Sequence, residues 1–265
     1  MVEARTRVRV LDWNVNGFRT TTQPDLLAAM DWDIACLQEV THESWPRFRE
    51  TADAGEAAFG HLPPLASGGP RYACAVLVRG CALEGFEVLP GMPSPERAGV
   101  AAVTVGRDTI QVGSWAAPPG VSWGDAGKGR QVDRFAAWLR DRASPVIIGI
   151  DRNAPKWERH DLSSDEWWNR WEPLLYGQDR VHDLSDVYRT YLASDTERAM
   201  QVREEKPDGP LAVTHRRRGV DCRYDAIYAS PEFEVLSVEH HLGASLNAGS
   251  DHAIVTCDLA LAERG

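Results

Sequence analysis

The segment from residue 146 to residue 153, Val-Ile-Ile-Gly-Ile-Asp-Arg-Asn, constrains the fold of this chain more than any other stretch. Its aliphatic residues predict a buried β-strand, which stops at Asp151 and Asn153. Because alternate residues of a strand share a face, the two polar side chains should project in the same direction. The chain then turns at Ala154 and Pro155, since the residue before a proline avoids the helical region. The segment therefore predicts a buried strand that delivers two oxygen-bearing side chains into a loop.

The composition is that of an ordinary globular protein, with 43% hydrophobic and 26% charged residues. The chain has no repeat and no linker, so we predict a single domain over residues 1–265, and we assume a monomer. No apolar run is long enough for a membrane span. The N-terminal residues carry no apolar signal segment, and the five cysteines lack CxxC spacing. We therefore expect reduced core cysteines and a cytoplasmic location.

Hydrophobic periodicity predicts alternating strands and helices. Strands are expected at 8–13, 33–40, 73–78, 82–88, 100–105, 109–115, 146–150, 224–228, 233–240 and 253–261, those between 73 and 115 being antiparallel. Helices are expected at 25–30, 130–142, 164–176 and 183–192, and the polar stretch 195–210 is predicted to be a mobile loop. The pattern indicates a mixed α/β fold.

Eight polar side chains lie where the predicted strands end or begin. Five follow the ends of apolar runs and three precede the starts of others: Asn14, Asn16, Glu39, Asp151, Asn153, then Asp225, Asp251, His252. Strand ends and strand starts meet at one edge of a mixed or antiparallel sheet. The sequence therefore predicts an acidic pocket suited to a hard divalent cation such as Mg²⁺, which prefers carboxylate, amide and water oxygens.

Five short segments, at residues 11–17, 33–39, 149–153, 223–227 and 249–252, resemble the ordered motifs of the endonuclease/exonuclease/phosphatase superfamily, the family of DNase I and the exonuclease III-like AP endonucleases. The resemblance extends from residue 8 to about residue 260. It implies a four-layer α/β sandwich, in which two mixed β-sheets pack face to face and are flanked by helices. It also implies metal-dependent hydrolysis of phosphate esters by one-step attack of water on the phosphate.

The resemblance implies a role for each motif residue. Glu39 would be the principal ligand of Mg²⁺ or Mn²⁺, and Asn14, Asn16 and Asp251 would border the metal or its waters. Asp151 would orient or deprotonate the attacking water.

The remaining motif residues would act on the phosphate. Asn153 would hold a phosphate oxygen. Asp225 would hydrogen-bond His252 and favour its protonated form, so that the imidazolium faces the charge that develops on phosphorus.

The chain departs from the family pattern at two positions. Many relatives carry a histidine or tyrosine where the best-matching residue here is Ala116, which cannot donate a hydrogen bond. Either His252 acts alone, or the site is weakened, or another group such as His215 substitutes. AP endonucleases often carry a lysine shortly after the glutamate, whereas Val40, Thr41 and His42 follow Glu39, so the chain is not clearly of that branch.

The net charge of −10 argues against broad electrostatic capture of nucleic acid, but it does not exclude a nucleic-acid enzyme. One basic cluster, Arg216, Arg217, Arg218 and Arg223, is either a solvated loop or a contact for the phosphate backbone. Trp157, in a predicted loop, is a candidate for stacking on bases.

Three hypotheses follow. The first is a divalent-metal-dependent nuclease that acts on DNA, or on RNA. The second keeps the chemistry but replaces the nucleic acid by a small or lipid-head-group phosphate ester. The third is a binding module whose catalysis is weakened at Ala116.

Overall fold

The computed structural model describes residues 6–17, 20–52, 56–60, 72–89, 91–142 and 145–262. Its strands are β1 (Thr6–Asn14), β2 (Ile34–Val40), β3 (Ala57–Phe59), β4 (Ala73–Val78), β5 (Ala82–Val88), β6 (Ala98–Val105), β7 (Asp108–Ala116), β8 (Val146–Asp151), β9 (Ser185–Asp186), β10 (His215–Arg217), β11 (Val220–Cys222), β12 (Asp225–Ala229), β13 (Phe233–His241) and β14 (Ile254–Leu261). Its α-helices are α1 (Thr22–Ala29), α2 (Trp45–Arg49), α3 (Gly120–Asp141), α4 (Pro173–Tyr176), α5 (Val187–Ser194), α6 (Thr196–Glu205) and α7 (Leu242–Asn247).

The strands form two mixed six-stranded sheets. The first sheet has the order β13-β14-β1-β2-β4-β3, and the second has the order β5-β6-β7-β8-β12-β9. Each sheet contains one parallel pair, β1 with β2 and β7 with β8, and the other neighbours are antiparallel. Strands β10 and β11 form a separate hairpin. The expected α/β sandwich of two mixed sheets flanked by helices is confirmed.

Three buried clusters account for the layers. Val8, Ile34, Val112 and Ile147 belong to one cluster that contains residues of both sheets, so these side chains fill the space between the sheets. A second cluster joins the outer face of the second sheet to α3, and a third joins the outer face of the first sheet to α1 and α2. Alternation along each strand then decides which side chains point between the sheets.

All ten predicted strands are present, whereas β3, β9, β10 and β11 were not predicted. The chain divides the central strands between the two sheets. β4 pairs with β2 in the first sheet, whereas β5, β6 and β7 form an antiparallel meander in the second.

The helix predictions were less accurate. α3 begins ten residues earlier than expected, despite the low helix propensity of the glycines in its first turns. A β-carbon at Gly129 would overlap Trp171, so the glycine allows close packing of the indole on this helix.

The helix expected at 164–176 is wrong, because only a 3₁₀ turn at Leu162–Ser164 and the short α4 form there. Pro173 restricts α4 to the last turn. Buried carboxylates hold the remaining loop, since Glu172 accepts a hydrogen bond from the Trp168 amide at 2.9 Å.

The mobile loop expected at 195–210 is also wrong. Residues 196–205 form α6, and the carboxylate of Asp195 caps its first turn by accepting a hydrogen bond from the Arg198 amide at 2.9 Å.

None of the five cysteines forms a disulfide, and Cys81 alone is not fully buried. Within the ranges given above, the structure contains no helix of the length and hydrophobicity that crossing a membrane requires. The cytoplasmic location and the single domain remain predictions.

Candidate active site

Three register partners on adjacent strands of the second sheet form the floor of the site. Ala116 pairs with Asp151 between β7 and β8, and Asp151 pairs with Asp225 between β8 and β12. Ile147 on β8 and Ile227 on β12 lie in the cluster between the sheets. Alternation therefore turns Asp151 and Asp225 toward the first sheet at the strand ends.

Asp151 is buried and is held by amide donors. The side-chain amide of Asn14, at the end of β1 in the opposite sheet, donates to Asp151 Oδ2 at 3.0 Å. The backbone N–H of Asn153 donates to Oδ1 at 3.0 Å, and its side-chain amide donates to Oδ2 at 3.1 Å. Burial and the charge of Asp225 raise the pKa of Asp151, although the charge of His252 opposes them. The strongest sequence feature thus becomes a desolvated carboxylate that is held from two sides.

Asn153 is engaged more fully than its predicted role requires. Its side-chain amide donates to the Ala117 carbonyl at 2.9 Å as well as to Asp151. Its φ of 48° lies in the left-handed region, which asparagine tolerates. In this structure Asn153 positions Asp151, and contact with a phosphate oxygen would require one of these bonds to open.

His252 and Asp225 form a buried pair. His252 Nδ1 lies 2.9 Å and 3.0 Å from the two oxygens of Asp225, which is fully buried. The Thr214 hydroxyl accepts a hydrogen bond from the Asp225 amide at 3.0 Å. Burial lowers the pKa of His252, but the charges of Asp225 and Asp151 outweigh it and raise that pKa to about 10. The imidazole is therefore an imidazolium at neutral pH, with Nδ1 committed to Asp225.

Glu39 reaches the site because β2 is irregular there. Its pairing with β4 shifts between Leu37 and Val40, and Glu39 has a φ of 57°. Such a bulge breaks the alternation that would place Glu39 with Leu37 on the outer face. Burial and the charge of Asp151 raise the pKa of Glu39, while the charges of His252 and Arg97 lower it. Arg97 has no signal in the sequence, because it is brought near Glu39 only by the 3₁₀ turn at Pro95–Arg97.

Asn16 and Asp251 close the site on the solvent side. The Asn16 side-chain amide donates to Asp251 Oδ1 at 2.5 Å, and Asp251 is exposed. The hydroxyl of Ser250 donates to the Asn14 carbonyl at 2.6 Å, which ties the loop before β14 to the end of β1. The predicted meeting of strand ends and strand starts is thus explained by the antiparallel pairing of β1 with β14.

The carboxylate and amide oxygens of the site suit a hard cation, whereas a protonated His252 could not be one of its ligands. Among the described residues, two groups of carboxylate oxygens and imidazole nitrogens lie close enough to share an ion: His215 with Asp251 and His252, and Asp151 with Asp225 and His252. Glu39 completes no such group of three. A cation bound by Glu39 would therefore also use amide oxygens and waters, which is the coordination that Mg²⁺ favours.

His215, at the start of β10, lies directly against His252. The two rings stack with centroids 4.4 Å apart. The ring of Tyr224 also stacks on His215, with its centroid 5.6 Å away. His215 Nδ1 donates to the Asp251 carbonyl over 3.1 Å, because a carbonyl oxygen can only accept. The structure thus brings the polar side chain of His215 into the site, in which position 116 provides only a methyl group.

The four arginines of the basic cluster are not equivalent. Arg216, Arg217 and Arg218 are exposed on the β10–β11 hairpin. Arg223 is buried and binds the carboxylates of Glu158 and Asp186, so its assignment to a solvated or phosphate-binding loop is wrong. A chain segment can carry a buried arginine beside exposed ones when acidic partners come from distant segments, and no local pattern reveals this.

The Arg223 network supports the strands of the site. Arg152 follows Asp151 directly, and its guanidinium donates to the Arg223 carbonyl at 2.6 Å, just before β12. The positive charges of Arg223 and its neighbours lower the pKa of Glu158 and of Asp186, despite the burial that opposes this. The network therefore joins the ends of the two strands that carry Asp151 and Asp225.

The side chain of Trp157 contacts residues of neighbouring loops. Its indole N–H donates to the Asp208 carbonyl at 3.1 Å, and the Arg159 guanidinium lies 5.2 Å from its ring centroid. Its exposed fraction is 36%. No described contact joins it to the residues around His252.

A buried polar group that the sequence did not single out lies beneath the site. The Gln38 side-chain amide donates to Asp12 Oδ1 at 2.7 Å within the first sheet and to Ser114 Oγ at 3.1 Å in the second sheet. Burial and the charge of Asp225 raise the pKa of Asp12 well above its ordinary range. A β-carbon at Gly149 would overlap the Asp12 carboxyl, so this glycine permits the close approach of the sheets.

Two mixed sheets packed face to face, with polar residues gathered at one end, define an α/β sandwich of the endonuclease/exonuclease/phosphatase type. The chain belongs to the Endonuclease/Exonuclease/phosphatase family, whose model matches residues 13–252. No curated protein sequence matches it significantly.

Solved structures share its fold over nearly the whole chain. An AP endonuclease from Archaeoglobus fulgidus superposes with a TM-score of 0.67 at 18% identity, covering 94% of this chain and 98% of its own. The human Nocturnin catalytic domain with bound sulfate has a TM-score of 0.62 at 18% identity, with coverages of 97% and 94%. The 3′ phosphatase NExo from Neisseria, bound to a product DNA hairpin, has a TM-score of 0.60 at 21% identity, with coverages of 94% and 98%. At these identities the likeness is one of fold.

Proposed function

We propose that the chain is a Mg²⁺- or Mn²⁺-dependent phosphodiesterase that cleaves nucleic acid, with DNA as the preferred substrate. The observation that carries the proposal is the buried His252–Asp225 pair beside the buried Asp151. An imidazolium and a desolvated carboxylate side by side are suited to opposite tasks, one facing negative charge and the other accepting a proton.

Glu39 would hold the metal, with Asn16 and Asp251 at the border of its waters. When bound, the cation polarises the phosphate and stabilises the leaving oxygen. In its absence, burial and the charge of Asp151 raise the pKa of Glu39, and burial and the charge of Asp225 raise the pKa of Asp151.

Asp151 orients the attacking water and accepts its proton. A raised pKa makes a carboxylate a better base near neutral pH. Asn14 and Asn153 fix the carboxylate from the two sheets, so its oxygens keep one orientation.

His252 faces the phosphate as a cation. Asp225 occupies Nδ1, so Nε2 is the nitrogen left to donate to a phosphate oxygen as charge develops on it. His215 stacks on this ring and supplies the polar group that Ala116 does not.

The choice of nucleic acid rests on Arg217 and Arg218, which are exposed on the β10–β11 hairpin that begins at His215 beside the site. A 3′ phosphatase bound to DNA and an AP endonuclease share the fold. The net charge of −10 favours the alternative of a small phosphate ester.

The test is to incubate the purified chain with Mg²⁺ or Mn²⁺ and plasmid DNA, RNA or a panel of soluble phosphate esters. We expect DNA cleavage that chelation stops and that Asp151→Asn abolishes. Turnover of a small ester without cleavage of either nucleic acid would overturn the nuclease assignment in favour of that ester. Absence of any turnover by the folded protein would leave the binding module as the function.

A further inference from the structure

One aromatic row leads from the catalytic pair to an exposed tryptophan. It consists of His252, His215, Tyr224 and Trp168. The first three rings stack at centroid distances of 4.4 Å and 5.6 Å, and the Trp168 side chain lies close enough to the Tyr224 hydroxyl to oppose the rise in its pKa that burial causes. The Trp168 side of this row is solvent-accessible, since the residue is 38% exposed.

Two cations lie on the Trp168 ring. The Arg217 guanidinium carbon is 4.3 Å from the ring centroid, and the Lys156 ammonium is 6.0 Å from it. These distances are those of cation–π contacts, which hold a flexible charged side chain in place. The Lys156 ammonium also forms an ion pair with the Glu166 carboxylate at 3.5 Å. Among the described residues, no carboxylate lies within ion-pair distance of Arg217.

Strand alternation separates the hairpin arginines. His215 and Arg217 share one face of β10, so the face that touches His252 also carries Arg217. Arg216 projects from the opposite face and binds Asp221 at 3.0 Å, a carboxylate that Lys206 also contacts at 3.2 Å. The two neighbouring arginines therefore carry equal charge but face different surroundings.

The backbone of Trp168 is anchored to the protein interior. The Trp168 amide donates to Glu172 at 2.9 Å, and Glu172 is fully buried in an ion pair with Lys128 at 2.5 Å. Lys128 is thereby committed to the interior. An exposed indole on such a fixed base loses little conformational freedom when a ligand stacks on it.

We propose that Trp168 and Arg217 form a subsite for the nucleotide next to the scissile phosphate. This inference rests on the proposed function and narrows its substrate class to a polynucleotide strand. Arg217 binds the flanking phosphate, and the indole packs against the attached base or sugar, as aromatic platforms do in single-strand binding. The row of rings sets the direction in which the strand leaves His252.

The test compares a single-stranded oligodeoxynucleotide with bis-p-nitrophenyl phosphate, a diester with no flanking nucleotide. Arg217→Ala and Trp168→Ala should each lower kcat/KM for the oligonucleotide about tenfold and leave the small diester within about twofold. Arg216→Ala is the matched control, with the same charge on the opposite face, and should change neither rate by more than about twofold. Arg217→Ala should also reduce the salt dependence of oligonucleotide binding by about one counterion.

Binding of a fluorescent oligonucleotide, followed by anisotropy with Asp151→Asn in EDTA, separates the subsite from catalysis. In that background Arg217→Ala should weaken binding about tenfold and Arg216→Ala should not. If the wild-type chain hydrolyses nothing but this difference holds, the proposed function fails and the subsite stands. Equal losses for both arginine variants, or equal losses on both substrates, would overturn the subsite even if the nuclease activity is present.

Discussion

Ala116 and Asp151 are register partners on the parallel strands β7 and β8, so a methyl group lies beside the carboxylate that is proposed to activate water. Asp225 is the partner of Asp151 on the other side. Within the second sheet, Asp151 thus has a polar register partner on one side only, and Ala116, with an exposed fraction of 3%, is buried.

Ala116→His should raise kcat for a small diester about tenfold, because it adds a hydrogen-bond donor next to the phosphate position. Overpacking at this buried position should lower the free energy of unfolding by about 1–3 kcal/mol. Steady-state kinetics with Ala116→Phe as the steric control checks the prediction. A folded Ala116→His variant with unchanged kcat would show that position 116 does not face the phosphate.

His215→Phe should lower kcat about tenfold, because phenylalanine keeps the stacking on His252 and Tyr224 but has no nitrogen for the phosphate. The measurement is kcat on the small diester. His215→Ala removes the stacking as well, so an effect confined to the alanine variant would assign His215 a packing role instead.

Asp225→Asn should lower the pKa of His252 from about 10, because the charge and hydrogen bond of Asp225 raise it. A histidine whose folded pKa is raised contributes stability that is present below its ordinary pKa of 6.5 and is lost as the pH rises toward about 10. Metal-free wild-type protein should therefore lose stability to urea over that range, and the variant should lose much less. NMR titration of the His252 ring in chelator gives the pKa directly, and Asp31→Asn, at an exposed carboxylate, serves as control. An unchanged titration in Asp225→Asn would contradict the pairing.

Glu39→Gln should abolish the stabilisation of the fold by Mg²⁺ or Mn²⁺. A ligand that binds only the folded state at a hundred times its Kd stabilises by about 2.7 kcal/mol. Thermal melts with and without metal measure this without reference to activity. Glu43→Gln, at an exposed carboxylate four residues along the chain, should melt like the wild type under both conditions. A metal-induced shift that persists in Glu39→Gln would place the cation elsewhere.

Glu158→Gln should lower the free energy of unfolding by about 3–5 kcal/mol, because it leaves Arg223 with less compensating charge in the interior. Asp25→Asn, in the exposed pair with Arg47, should cost less than about 1 kcal/mol. The folded pKa of Glu158 is lowered, so its contribution is present above the ordinary value of 4.5 and is lost as the pH falls. Urea unfolding at neutral and acidic pH should show wild type and Glu158→Gln converging in acid. A constant difference between them would exclude this ionic origin.

The strand framework and most of the site could be predicted from local sequence. Alternation on β1 and β8 fixes which face carries Asn14 and Asp151, whatever the rest of the chain does. The absence of a helix over most of 164–176 could not be predicted, because the apolar residues there have helix-like spacing. Buried carboxylates such as Glu172 hold the backbone of this segment instead.

The sequence by itself determined the strands, the polar residues at their ends and the family to which the chain belongs. Only the tertiary structure decided that Arg223 is internal while Arg217 is exposed, and that His215 lies against His252. The physical reason is that strand periodicity depends on neighbours a few residues apart. Whether a charged side chain is buried depends instead on whether a distant segment brings an opposite charge to it in the interior. Glu158 does this for Arg223.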